Sequence, residues 1–407
     1  MANLKYFIWL ATRKGFRAGE LWELLSRFHS PEAVYFAEWA EYELLGIAGA
    51  RRESLEDKDL QGAEVILADC DRLGIHIMTI QDADYPELLG RIDDPPVVLY
   101  WRGKALNVDD RLSIGVVGAR KSTPYGESLA GRLGIELARR GVTLVSGMAE
   151  GIDAAGIKGA LQGGGTVISV LGGGIDVVYP RQNRWLYEDV AAAGTLVSEY
   201  PPGTEHAGRH FPVRNRILSG LSRGVVVVEA GLPSGALISA RVALDQNREV
   251  FAFPGPVGAE KSLGCNRLIQ RGEAKLILNA DDLLEEFTGV LAREVPQGLP
   301  PMDERTVAQR LDVEPVPAPS RPKEEKVVDK PPQRAYISLT DDPGVLTEDQ
   351  RDILMAIQHK ALTADDIAET AQLPAKRVLS ALTMLQLQGW VEEKPGKKFY
   401  AAVIVAP

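Results

Sequence analysis

Short apolar runs alternate with stretches of helical spacing throughout residues 113–288. Each run is rich in valine, isoleucine and leucine. Strands of this kind are typical of a parallel sheet, because helices cover both of its faces. The pattern therefore predicts an α/β fold with a Rossmann-like, doubly wound and mostly parallel sheet. The predicted strands are Ser113–Val117, Val142–Val145, Thr166–Leu171, Thr195–Ser198, Gly224–Glu229, Glu249–Phe253 and Lys275–Leu278.

The region before this sheet has a different periodicity. Residues 1–75 carry apolar positions at helical spacing, and Ser30-Pro31 is a typical helix start. We therefore predict a small helical domain over 1–75, of the SAM or helix-hairpin-helix type. The turn at Gly46–Gly49 either presents backbone amides to phosphates or simply joins two helices. Two further strands lead into the core, which we place at 76–288.

The rest of the chain divides into a linker and a second small domain. Residues 289–345 are rich in proline and charge and poor in aromatic residues, which predicts a flexible linker. Residues 346–407 carry three helical patterns followed by a strand pair, which predicts a winged helix. Its third helix offers only Lys376 and Arg377 to DNA, so DNA binding and protein interaction both remain open. The expected core positions of that helix are Val378, Leu379, Leu382 and Leu385.

Composition limits the location and the chemistry. The net charge is −10, but residues 113–288 hold 18 basic and 18 acidic side chains, so the acidity lies mainly outside the predicted sheet. No segment has the features of a signal peptide or the apolar length of a membrane span. Cys70 and Cys265 lie far apart, and His206 and His210 have no partner at ligand spacing. We therefore expect a cytoplasmic protein with no membrane partner, no cofactor and no metal.

The segments that follow the predicted strands carry the candidate chemistry, since ligands of an open parallel sheet bind at the carboxyl ends of its strands. Helix starts, positive charge and one aromatic ring suit an extended polyanion better than one small ligand. Phe211 is either a base-stacking ring or a core aromatic, and Arg214–Arg216 is either a phosphate contact or an exposed helix face. The candidate DNA-binding residues are Gly118, Arg120, Lys121, Ser146, Gly147, Arg181, Asn183, Arg209, Phe211, Arg214, Asn215, Arg216, Ser234, Gly235, Ala236 and Lys261.

Two classes of enzyme compete with this interpretation. The first turn, from Gly115 to Arg120, lacks the Gly-x-Gly-x-x-Gly pattern of a nicotinamide-binding fold. A nucleotide hydrolase resembling the lysine decarboxylase-like phosphoribohydrolases is the stronger alternative. Its Pro-Gly-Gly-x-Gly-Thr motif corresponds to Pro233–Ile238, but the downstream carboxylate is missing. We therefore expect no catalytic residue, and a small-nucleotide binder or hydrolase on the same site remains the alternative.

Read together, the strand-end motifs strongly resemble the DNA processing protein A (DprA/Smf) family. The resemblance runs from Tyr85-Pro86 to about Gly272, with many motifs in one order. Three departures occur: Gly156-Ile157 replaces the usual Ala-His, Ser239 replaces a threonine, and Lys14–Arg17 replaces a Gly-Ile-Gly hairpin. The matching motifs are Val117–Arg120, Ser146–Ala149, Leu171–Asp176, Ser198–Pro202, Phe211–Arg216 and Ser234–Leu237.

The resemblance implies a function in natural transformation and DNA recombination. Such proteins bind and protect single-stranded DNA in a basic pocket of the Rossmann-like domain, dimerise through that domain and help to load the recombinase RecA. By resemblance, Arg120 and Arg214–Arg216 should hold phosphates, Gly147 and Gly235 should offer helix-start amides, and Phe211 should stack on a base. The implied partners are therefore single-stranded DNA, RecA and a second copy of the chain.

Overall fold

The chain forms two compact units. The computed structural model describes residues 3–106, 108–288, 335–338, 346–394 and 397–406. The first unit contains the helical region and the large sheet, and the second contains the C-terminal module. None of the helices in these ranges is both long enough and apolar enough to cross a membrane.

Six helices precede the sheet, which confirms the helical pattern predicted for residues 1–75. The Ser30 hydroxyl accepts a hydrogen bond from the amide of Ala33 at 3.1 Å, so the predicted helix start is a true N-cap. Trp9 and Leu25 are buried in a hydrophobic cluster that continues into the sheet through Ile114. The helices are α1 Leu4–Ala11, α2 Ala18–Phe28, α3 Pro31–Phe36, α4 Trp39–Glu43, α5 Ala50–Glu56 and α6 Gln61–Leu73.

Nine strands form one sheet with the order β1-β2-β6-β5-β4-β3-β7-β8-β9. All neighbouring pairs are parallel except β1 with β2 and β2 with β6. The seven predicted core strands are all present, so the predicted fold class is confirmed. The strands are β1 His76–Thr79, β2 Val98–Gly103, β3 Ser113–Val117, β4 Thr143–Ser146, β5 Val167–Val170, β6 Thr195–Ser198, β7 Gly224–Val227, β8 Glu249–Ala252 and β9 Lys275–Leu276.

Within the described part of residues 76–288, eight further α-helices accompany the sheet, and two of them are in contact at glycine residues. A Cβ atom on Gly134 would overlap the backbone of Gly156, and a Cβ atom on Gly159 would overlap the backbone of Gly131. The two helices that carry these glycines, Pro124–Arg139 and Ile152–Gln162, therefore pack backbone to backbone. The helices are α7 Glu87–Gly90, α8 Pro124–Arg139, α9 Ile152–Gln162, α10 Arg184–Ala193, α11 His210–Gly220, α12 Gly235–Asp245, α13 Leu263–Gln270 and α14 Ala280–Leu284.

In its described residues, the C-terminal unit contains three helices and a three-stranded wing, which confirms the winged helix. Thr347 and Thr363 cap the first two helices through their hydroxyl groups. The wing has the strand order β11-β13-β12. The elements are β10 Ala335–Ser338, α15 Glu348–Ile357, β11 Leu362–Thr363, α16 Ala364–Thr370, α17 Ala375–Leu387, β12 Val391–Lys394, β13 Lys398–Ala401 and β14 Val403–Ala406.

Two expectations for this unit need correction. Ala335–Ser338, placed in the linker, forms a strand that pairs in parallel with Val403–Ala406. The composition of a segment does not reveal such a long-range pairing of strands. The remainder of the predicted linker, 289–345, lies outside the described residues. Leu379 was expected in the core with its neighbours on α17, but its side chain is 55% exposed, whereas Val378 and Leu382 are buried. One residue along a helix is a rotation of about 100°, which turns Leu379 away from that face.

Candidate functional site

A cavity of about 470 Å³ opens at the carboxyl edge of the sheet. It lies where the strand order reverses, since β3 pairs with β4 on one side and with β7 on the other. This switch point is the usual ligand position in doubly wound folds. Ten of the candidate residues line the cavity: Gly118, Arg120, Lys121, Phe211, Arg214, Asn215, Ser234, Gly235, Ala236 and Lys261.

The loop after β3 forms one wall, and its backbone is fixed on both sides. The Ala119 amide donates to the carbonyl of Glu229 at 2.7 Å, and the Ala119 carbonyl accepts from the amide of Ile152 at 3.2 Å. A Cβ atom on Gly118 would lie 2.5 Å from the Ile152 side chain, so only glycine allows this approach. The loop therefore presents the exposed side chains of Arg120 and Lys121 from a rigid base.

Phe211, at the start of α11, is half-buried and lines the cavity. The Arg120 guanidinium lies 4.6 Å from the centroid of the Phe211 ring, within the range of a cation–π contact. Phe211 was expected to be either a base-stacking ring or a core aromatic, and the geometry favours a ring that a ligand can reach. The ring is held beside the charges that would bind a phosphate.

The N-terminus of α12 forms the opposite wall. The Ser234 hydroxyl accepts a hydrogen bond from the Ala236 amide at 3.3 Å, which caps the helix. Gly235 has open space where a side chain would be, so a ligand can approach the backbone there. A helix N-terminus attracts anions, and Lys261 adds a positive charge to the same cavity.

Arg214 lies beneath the cavity and is 4% exposed. Its guanidinium donates to the carbonyl of Gly147 at 2.8 Å and also to the carbonyl of Val170. The nearby carboxylate of Asp153 accepts from the amides of Gly147 and Ala149 at 3.1 and 3.4 Å. Arg214 therefore connects the ends of β4 and β5, a structural role in addition to its place in the cavity wall.

Burial controls the ionisation of this pair of groups. It raises the pKa of Asp153, while the positive charge of Arg214 and the two amide hydrogen bonds act in the opposite direction. Burial likewise lowers the pKa of Arg214, and the charge of Asp153 opposes that shift. Each charge thus makes the burial of the other less costly.

Arg216 points away from the cavity. Its guanidinium makes a two-pronged contact with the carboxylate of Glu199, at 2.7 and 3.1 Å, and donates to the carbonyl of Asp94 at 2.8 Å. Burial lowers the pKa of Arg216, but the charge and hydrogen bonds of Glu199, together with the charge of Asp94, outweigh burial and keep that pKa above its usual value. A bidentate carboxylate pair of this kind occupies the donors that a phosphate would need.

The remaining candidates do not line the cavity. The Ser146 hydroxyl donates to the carbonyl of Val116 at 2.7 Å, and the Asn183 amide donates to the carbonyl of Met148 at 3.0 Å, so both buried groups support the backbone. Gly147 leaves room for the Arg214 guanidinium. Arg181 and Arg209 are exposed on the segments that precede α10 and α11.

Sequence reasoning missed two carboxylates in the cavity wall, Asp153 and Glu260. Asp153 stands within a glycine-rich helix start, and neither its position nor that of Glu260 carries a periodic signal. Across the described ranges, no group of three or more histidine, cysteine, aspartate or glutamate residues could hold a metal ion.

Fold and site together define a Rossmann-like binding protein whose cation-rimmed cavity suits an anionic ligand. A family model described as DNA recombination-mediator protein A matches residues 76–288, and one described as the DprA winged helix domain matches residues 338–397. The chain belongs to this DprA/Smf family.

Curated relatives and a solved structure agree with this assignment. Protein Smf of Synechocystis is 37% identical over 330 residues, which cover 79% of each chain. The DNA processing protein DprA of Bacillus subtilis is 42% identical over 222 residues, covering 54% of this chain and 74% of that protein. The X-ray structure of DprA from Streptococcus pneumoniae is 32% identical, with a TM-score of 0.61, and the match covers 69% of this chain and 97% of that one.

Proposed function

We propose that this chain binds single-stranded DNA in the switch-point cavity and acts as a recombination mediator. The observation that carries the proposal is the Phe211 ring, which lies in the cavity wall with Arg120 4.6 Å from its centroid. A ring next to cationic side chains is the combination that single-strand-binding proteins use for bases and phosphates. Lys121, Lys261 and the N-terminus of α12 supply the further anion contacts.

Single-stranded DNA suits this site better than one small ligand because positive charge continues beyond the cavity. Arg181 and Arg209 are exposed on neighbouring strand-end segments outside its wall. A polynucleotide can reach such groups, whereas a mononucleotide inside the cavity cannot. Family membership supports the finer role: protection of incoming or exposed DNA in the cytoplasm, during transformation or recombination, and loading of RecA.

A nucleotide-binding or phosphoribohydrolase-like enzyme remains the second candidate, because the cavity volume of about 470 Å³ is in the range of small-ligand sites. Asp153 is a carboxylate in its wall, but two backbone amides already bind to it. Glu260 is exposed at the rim.

Titration with a fluorescent oligonucleotide at two salt concentrations separates these functions. We expect wild-type protein to bind single-stranded DNA tightly at low salt and to lose affinity steeply as salt rises, since phosphate contacts release counterions. The same protein incubated with mononucleotides should leave them unchanged by chromatography. Turnover of a mononucleotide without oligonucleotide binding would instead establish the enzyme.

We further propose that the chain forms a homodimer through the groove between α12 and α13. The groove has a volume of about 430 Å³ and is lined by Leu232, Leu237, Leu244 and Leu268, of which Leu232 and Leu244 are exposed. Arg241, Asp245, Arg267, Arg271 and Glu273 lie in the same groove. A surface that carries apolar side chains and both signs of charge is self-complementary, as a two-fold interface requires.

The substitution Leu244→Asp should convert a dimer to a monomer in light scattering coupled to size-exclusion chromatography. It places a carboxylate in the apolar part of the groove, where association would have to desolvate it. Leu44→Asp is the matched control, because Leu44 is 82% exposed in the helical region. An unchanged dimer in Leu244→Asp would exclude the groove as the interface. A monomer should also bind DNA with lower avidity.

A further inference from the structure

Three aromatic rings form a continuous cluster at the edge of the cavity. The rings of Tyr179 and His206 are stacked, with centroids 5.1 Å apart and an interplanar angle of 25°. The Phe211 ring lies 5.6 Å from Tyr179 and 6.3 Å from His206. Phe211 lines the cavity wall, whereas Tyr179 and His206 do not. The cluster thus continues the aromatic surface of Phe211 out of the cavity.

Tyr179 is exposed but held in place. Its side chain is 41% exposed, and the buried hydroxyl of Tyr187 lies 3.3 Å from both the backbone nitrogen and the carbonyl oxygen of Tyr179. The His206 Nε2 atom lies 2.9 Å from the carbonyl oxygen of Val177, so this nitrogen donates. Burial lowers the pKa of His206, which keeps the ring neutral. One face of Tyr179 therefore rests on a fixed, uncharged ring.

Exposed aromatic rings concentrate at this edge of the sheet. In the parts of the chain that the structure describes, the exposed large aromatic side chains are Tyr125, Tyr179, Trp185 and Phe36. The first three lie on segments that follow β3 and β5 at their carboxyl ends. Exposing the apolar surface of a large aromatic ring to water is unfavourable. The concentration of such rings beside a cavity that suits nucleic acid therefore indicates that they contact a ligand there.

We propose that Tyr179 is a second base-stacking position, which receives the nucleotide that follows the one bound at Phe211. This inference rests on the proposed binding of single-stranded DNA. Arg181 and Arg209 are both exposed and lie two residues from Tyr179 and Phe211, respectively, so they are placed to contact the phosphates between and beyond the two bases. The strand thus leaves the cavity along the segment after β5.

The test is a titration of oligothymidylates of increasing length with wild type and Tyr179→Ala. For the shortest oligonucleotide that wild type binds, the affinity of the variant should equal that of wild type. The variant should then fail to gain affinity when the next nucleotide is added, a loss of about fivefold or more for one stacked base. Tyr179→Phe should restore the gain, and Tyr179→Leu should not, because only the former keeps the ring.

Phe36→Ala is the matched control, because it removes an aromatic side chain that is 69% exposed on α3. Equal binding by Tyr179→Ala and wild type at every length would overturn the second stacking position. A uniform loss at every length would also overturn it, because Tyr179 would then act on the cavity itself. If wild type binds no oligonucleotide, the proposed function fails, and the second position fails with it.

Discussion

The double variant Arg120→Ala/Lys261→Ala should bind single-stranded DNA about 30-fold more weakly than wild type, if each side chain contributes about 1 kcal/mol through a phosphate contact. Both residues line the cavity, and the side chain of Arg120 is exposed. The slope of log affinity against log salt should also become shallower by about 1.4, since two phosphate contacts are lost. Fluorescence anisotropy over a salt series measures both quantities.

The matched control is Arg72→Ala/Arg91→Ala, which removes the same net charge. Both arginines are exposed and form surface ion pairs, with Asp69 at 2.7 Å and with Glu87 at 2.8 Å, and pairs of this kind contribute little to stability. If the control weakens binding as much as the cavity variant does, the effect is one of net charge, and the cavity is not the DNA site. Arg120→Lys should recover the salt slope but not the full affinity, because lysine lacks the planar contact with Phe211.

Arg214→Ala should lower the free energy of unfolding by about 3 kcal/mol or more, measured by urea denaturation. The substitution leaves the carbonyls of Gly147 and Val170 without this donor, and it removes the positive charge that opposes the raised pKa of Asp153. Arg214→Lys should recover only part of the loss, since a single ammonium group cannot reproduce the guanidinium geometry. DNA binding by Arg214→Ala is therefore informative only where the variant is folded.

The loss in Arg214→Ala should grow with pH. Without Arg214, the pKa of Asp153 rises further above its unfolded value, so the folded state binds more protons and stability falls as pH increases. The destabilisation should be smaller at about pH 5 than at about pH 8. Adding Asp153→Asn removes the buried charge and should abolish this pH dependence. A pH-independent loss would assign the effect to the two carbonyls alone.

Periodicity was sufficient to predict the sheet, because buried parallel strands are apolar along their whole length. The order of the strands in the sheet comes from the structure, and so does the switch point at which ten of the candidate residues meet. Arg214 and Arg216 could not be separated by sequence, although two residues along a helix turn a side chain through about 200°. Arg214 therefore lines the cavity, and Arg216 binds Glu199. Tyr179 lies in an irregular loop, where the sequence has no hydrophobic periodicity from which the exposure of its side chain could be predicted.

The domain boundaries and the DNA contacts stay predictions, but the winged helix is now better defined. The Arg377 guanidinium makes two hydrogen bonds with the Asp349 carboxylate, at 2.8 and 2.6 Å. Of the two cations that the sequence offered to DNA on α17, one is therefore already paired. Lys376 is exposed, and so are the apolar side chains of Leu379 and Met384. These features favour protein interaction over DNA reading for this module.

The glycine contacts between α8 and α9 make one side of the binding site mechanically stiff. Because Gly134 and Gly159 bring the two backbones together, there are no side chains at these points whose rotamers could adjust. The loops that start both helices, after β3 and β4, must move together or not at all. Accommodation of different bases therefore falls to the other parts of the cavity wall, which include the Phe211 ring and the N-terminus of α12. Variants that broaden or narrow ligand choice should be sought at these two places.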